Sequence, residues 1–140
     1  MRFLLRVLIS VFSVLAIASC AWCQRAPAPV LTSAGLPTYP AIWRAAHLTG
    51  EVIARVAIKD GVVNGVEIKS GENHLQVPTI ANIKTWRFEE GVNSTITVTF
   101  TYVISGDPTD DRTNPTIEVL PSLDVRITAR PVKPTVNYSR

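Results

Sequence analysis

The sequence predicts an α+β fold: a two-layer sandwich in which two short helices pack on one face of a small antiparallel β-sheet, with an extra C-terminal strand. Three observations carry that expectation. Two alternating segments flank Asp60-Gly61, the pattern of a β-hairpin. A longer segment, Thr95 to Ile104, alternates from its start to Tyr102. Two other stretches, after Tyr39 and around Leu75, are patterned as helices rather than strands.

Taken in order, residues 24–36 hold Pro27, Pro29 and Gly35 among small residues with no clear period, so they read as a short linker. Tyr39-Pro40 opens the first helix, because the N–H that proline lacks is unpaired in a first turn anyway. Ala41 to His47 continue it and Gly50 stops the region. In Glu51 to Lys59, Val52, Ala54, Val56 and Ile58 share one face while Arg55 and Lys59 take the other, which describes a half-buried strand. Asp60-Gly61 suits a type I′ turn, whose two central positions both need positive φ. Val62 to Ser70 returns, with Val66 and Ile68 inward and Glu67 and Lys69 outward.

His74 to Thr85 is the second helix, with Leu75, Ile80, Ile83 and Trp86 on its apolar side. Pro78 fits only near a first turn, so the firm helical part is expected to begin close to it. Trp86-Arg87-Phe88 leads out into an exposed loop, Glu89 to Gly91. In the long strand, Ile96, Val98, Phe100, Tyr102 and Ile104 share one face and Thr95, Thr97, Thr99 and Thr101 the other. β-Branched threonine suits a solvated pleat, and such one-sided strands belong to antiparallel sheets with one face covered. Residues 105–140 comprise an acidic, turn-rich loop, an extra strand and a proline-containing tail. In that strand Leu123, Val125, Ile127 and Ala129 alternate with Asp124, Arg126, Thr128 and Arg130. It reads as an edge strand whose partner the pattern does not name.

The N-terminus reads as an address. Arg2 and Arg6 precede an apolar run, Val7 to Ala18, and small residues follow, the pattern of a signal peptide over residues 1–23. An uncleaved anchor is the competing reading, for which the run is short, since a span needs roughly 20 apolar residues. Two processing readings fit. Ile17-Ala18-Ser19-Cys20 matches a lipobox that would make Cys20 the lipidated first residue, and Ala21-Trp22-Cys23 before Gln24 matches ordinary cleavage. Both cysteines lie in this leader, so the domain has no disulfide to staple it and depends on its core. Without Arg2 and Arg6 the formal charge falls from +3 to +1, with 12 basic and 11 acidic residues, and no basic surface points to nucleic acid.

No catalytic constellation is visible, so the chain is read as a non-enzyme without metal or cofactor. His47 and His74 lie one beside each helix, with no convergent partners for acid–base or metal chemistry. Glu89-Glu90 are neighbours on a loop and diverge. Trp86 and Phe88 could form a ligand platform, but on a strand they face alternate sides, so at least one of them is read as core. Asn93-Ser94-Thr95 matches a glycosylation sequon, which means little if the source is bacterial.

Three pieces, in order and at fitting distances, resemble the C-terminal domain of TonB. They are Tyr39-Pro40 followed by Arg44; Thr49-Gly50-Glu51-Val52 through Asp60-Gly61-Val62-Val63; and Leu75 through Ile80 to Trp86-Arg87-Phe88. The resemblance covers residues 37–104 as a domain. It implies a cell-envelope interaction module that binds a peptide or protein strand by β-augmentation, in TonB-dependent transport across the outer membrane, with an outer-membrane receptor as partner. It places the protein in the periplasm or at the outer membrane, touching lipid only through an anchor or an uncleaved leader. The docking edge it implies is the strand from Val92 to Ile104, where Val92, Asn93, Thr95, Thr97, Thr99 and Thr101 would meet the guest. The alternative is an accessory or structural envelope protein whose sheet edge is closed by its own C-terminal strand. Trp43 and Pro78 depart from the family pattern. The 13 residues from Gln24 to Leu36 reach only about 45 Å when extended, short for a transducer that crosses a periplasm.

Overall fold

A computed structural model of the protein describes residues 28–108 and 115–133. The alternating segments around Asp60-Gly61 form a central hairpin of β2 (Gly50–Lys59) and β3 (Val62–Gly71). Asp60 and Gly61 have φ of 49° and 76°, the left-handed pair that the turn requires. A Cβ on Gly61 would meet the Glu89 and Phe88 carbonyl oxygens at 2.6 and 2.8 Å, so close approach of the next loop also selects glycine. The threonine-rich segment is β5 (Ser94–Ile104). It pairs antiparallel with β2 in an unbroken register from Gly50↔Tyr102 to Ile58↔Ser94.

The other elements are β1 (Leu31–Ser33), α1 (Ala41–Ala45), α2 (Asn73–Ile83), β4 (Arg87–Phe88), β6 (Thr116–Val119) and β7 (Val125–Ala129). The seven strands make one sheet in the spatial order β1-β4-β3-β2-β5-β7-β6. Alternation decides what is inside. Val52, Ala54, Val56 and Ile58 from β2 are buried with Val98, Phe100 and Tyr102 from β5 and Val125, Ile127 and Ala129 from β7. α2 lies against β2 and β3 and adds Leu75 and Ile83 to this core. Trp86 closes it, stacked on Phe100 at 5.8 Å and edge-on to Phe88 at 6.2 Å.

The α+β class holds, with four revisions. First, the sheet is mixed. β7 runs parallel to β5, Phe100↔Val125 to Ile104↔Ala129, because a long connection separates them, and parallel neighbours need such a crossover. Second, short strands appear where the pattern is too brief to show them. β1 forms inside the expected linker and pairs with β4, and β6 forms a hairpin with β7. Third, α2 begins five residues before Pro78 rather than at it. A proline there removes a single main-chain bond, and buried Leu75 on one side and Thr79, Asn82 and Ile83 on the other hold the helix through it. Fourth, the sheet curls. Its end strands β1 and β6 face each other across an apolar cavity of about 140 Å³ lined by Leu31, Trp86, Ile117 and Val119.

Two phenols tie α1 and α2 to the sheet. The Tyr39 hydroxyl donates to the Leu48 carbonyl, and its ring meets Tyr102 edge-on at 5.4 Å. The Tyr102 hydroxyl shares a 2.9 Å hydrogen bond with Thr79. Burial, then the neighbouring Tyr102, pushes the Tyr39 phenol up to about 12 from the usual 10.0. Burial also raises Tyr102, partly offset by its hydrogen bond with Thr79. An unfolded tyrosine releases its proton before a folded one with a raised pKa does. The contribution of Tyr39 is therefore intact below pH 10 and falls as pH rises towards 12. Urea midpoints measured across that range should decline, and Tyr39→Phe should flatten the decline.

Candidate functional site

A guest strand adds to a sheet only where main-chain groups are unpaired and the strand runs straight. β3 and β5 both offer partly uncovered outer sides. On its outer side β3 pairs only at Val62, with Arg87, and Val63 to Gly71 have no described strand beside them. That stretch is protected. Its register against β2 shifts twice, and Glu67 stands on it with Lys69 at 2.9 Å and Arg55 at 3.9 Å. Bulges and charges are what keep an edge from accepting strands.

β5 differs. It has no bulge against β2, and β7 covers only Phe100 to Ile104. Among the described residues no strand pairs with the outer side of Ser94 to Thr99. The direction of its backbone groups follows from two hydrogen bonds. The Thr99 N–H donates to Asp124 Oδ1 at 2.8 Å, and the Ser105 N–H donates to the Ala129 carbonyl at 2.9 Å. Main-chain groups alternate sides along a strand, so those of Thr95 and Thr97 point outward as well. The open edge thus presents the N–H and C=O groups of Thr95 and Thr97, with both residues exposed.

The six sequence-derived docking residues therefore separate. Thr95, Thr97 and Thr99 lie along one outward edge, with the Thr99 N–H already taken by Asp124. Thr101 lies in the stretch covered by β7, opposite Arg126. Val92 and Asn93 bound the edge rather than line it. The Val92 carbonyl accepts the Gly61 N–H at 3.0 Å, and Asn93 Oδ1 accepts the Asp60 N–H at 3.2 Å, so both serve the β2–β3 turn. Cys20 and the expected signal peptide over residues 1–23 lie outside the described residues.

Pattern reading missed the two polar contacts that fasten β7. At its start, Asp124 caps Thr99 and is itself held by Ser122 Oγ, which donates to Oδ2 at 2.7 Å. Past its end, Arg44 Nε donates to the Arg130 carbonyl at 2.8 Å, with Arg44 only 7% exposed. The Ser122-Leu123-Asp124 run before a strand is a visible polar signal of the first contact. The second joins residues 86 apart in sequence and leaves no local trace.

Elsewhere the chemistry is sparse. The outer sheet face holds a shallow, open groove of about 420 Å³ lined by Arg55, Ala57, Glu67 and Thr95 among others. Among the described residues no three His, Cys, Asp or Glu side chains gather as a metal site. His47 is exposed, Glu89 and Glu90 are exposed, and His74 sets its ring edge-on to Trp43 at 5.7 Å. Trp86 and Phe88 are both core. No helix of the described residues is long and apolar enough to cross a membrane.

The family described as Gram-negative bacterial TonB protein C-terminal matches residues 36–105, half of the 140-residue chain. The match runs from the segment before α1 to the residue after β5, so β6 and β7 fall beyond it. No curated protein sequence matches the chain.

Proposed function

Taking as premise that this chain belongs to the TonB C-terminal family, we propose that it is a cell-envelope interaction module that captures an extended peptide or protein strand on the outer edge of β5. The observation that carries this reading is the straight, uncharged, uncovered stretch Ser94 to Val98, with the main-chain groups of Thr95 and Thr97 turned outward. Main-chain hydrogen bonds to that stretch supply affinity, and alternate side chains of the guest supply selectivity. The guest's inward side chains would continue the apolar row of Ile96 and Val98. The family is a transport-related, non-enzymatic domain of the Gram-negative envelope, which suits a periplasmic or outer-membrane-associated module with an outer-membrane receptor strand as guest.

A second reading is favoured by one specific observation, the parallel pairing of β7 with Phe100 to Ile104. In that reading the chain has closed its own edge and serves envelope assembly through another surface.

The two separate on the amides of Thr95 and Thr97. Under strand capture, an alternating Thr/Val peptide slows their hydrogen exchange and shifts their NMR signals. Thr97→Pro removes one outward N–H without touching the β2 ladder, so it should leave the melting transition nearly in place while weakening peptide binding about tenfold or more. A peptide series that never perturbs these two amides returns the case to the closed-edge reading.

A further inference from the structure

The open edge stops at a carboxylate. Thr99 is the first outward residue whose N–H is already occupied, and its acceptor is Asp124 Oδ1. The other oxygen, Oδ2, accepts Ser122 Oγ. Both of these partners are neutral donors, whereas Lys69 and Arg55 are engaged with Glu67. Asp124 is half-buried, so its charge is only partly screened by water. A guest hydrogen-bonded to Thr97 has its next residues beside Asp124, whichever way it runs, because residues pair at one spacing along a sheet.

Resting on the capture reading above, we propose that the guest of the β5 edge carries a cationic side chain, Lys or Arg, at the end that meets Asp124, and that this carboxylate sets register and charge preference. An acidic residue there would face a half-buried like charge. A neutral one would leave the Asp124 charge as it is. A cation completes the pair while the Thr99 and Ser122 bonds stay in place. The open edge is short, Ser94 to Val98, so one charged contact at its end weighs heavily in choosing among guests.

The test uses the full chain and capped synthetic hexapeptides of alternating Thr and Val, bearing Lys, Gln or Glu at either the first or the last position. Binding is read from the Thr95 and Thr97 amide signals. Lys at one of the two ends should bind about fivefold tighter than Gln and tighter still than Glu. The end that shows the preference reports the guest's direction. Raising the salt from 20 mM to 500 mM should erase most of the preference in the unmodified protein, on the order expected for Debye screening. Asp124→Asn, which keeps an oxygen to accept the Thr99 N–H, should abolish it. Equal binding of the Lys, Gln and Glu peptides, or a Lys preference that survives Asp124→Asn, overturns the inference and leaves strand capture standing. If no peptide perturbs Thr95 or Thr97, strand capture itself fails and the charge preference fails with it.

Discussion

Trp86→Ala should remove a large share of this domain's stability and lower its urea midpoint sharply. Trp86 is 1% exposed, stacks on Phe100, meets Phe88 edge-on and lines the cavity between the two end strands. Its indole N–H donates to Asn82 Oδ1 at 3.1 Å, and Asn82 Nδ2 donates to the Gly35 carbonyl at 2.7 Å. One side chain therefore joins the end of α2, the segment after β1 and the face of β5. Truncating a buried tryptophan costs about 3–5 kcal/mol, against a total of about 5–15 kcal/mol for a domain. Asn82 also loses the donor to a buried oxygen. Urea unfolding followed by circular dichroism should show the midpoint collapse, with Trp86→Phe intermediate because it keeps the packing and drops the hydrogen bond. A midpoint within a few tenths of a molar of the unmodified protein would mean that the core does not depend on this ring.

Ile127→Ala should cost about 2–5 kcal/mol and act most visibly on one neighbour. Ile127 is fully buried at the centre of β7, opposite Tyr102 on one side and Ile117 on the other. The polar contacts of Asp124 and Arg44 hold the ends of β7, but its middle is held by apolar packing and the parallel ladder. Loosening it should speed hydrogen exchange at Thr101 and Val103, whose N–H groups face β7, more than at Phe100 and Tyr102, which face β2. Uniform acceleration across β5 would instead mean that β7 and the rest of the sheet open as one unit. In the strand-capture reading the loosened variant also offers a longer edge to a guest.

Local pattern went far on the parts built from near neighbours. The alternation of Val52, Val56 and Val98, the Asp60-Gly61 turn and the threonine face of β5 depend only on period and turn chemistry. What stayed hidden depends on distance along the chain. The partner of β7 lies across a crossover of some twenty residues, and its hydrogen-bond direction is invisible to a period of two. β1 and β4 have too few residues for any period to register. Pro78 misled because a proline rule weighs the lost bond and not the buried Leu75 and Thr79 that outweigh it. For the site, the pattern grouped all the threonines of β5 correctly on one face. It did not show where along the strand β7 would stop.

The family match ends at residue 105, yet Leu123, Val125, Ile127 and Ala129 belong to the same hydrophobic interior as β2 and β5. This ordering has a temporal consequence. Chains emerge N-terminal end first, so the matched portion is complete before the residues that shield Phe100 to Ile104 exist outside the ribosome. During that interval the entire flank of β5 is bare, and the late, long-range parallel docking of β7 closes slowly compared with the β2–β3 hairpin. A newborn molecule is for that time a more aggregation-prone object than the mature one.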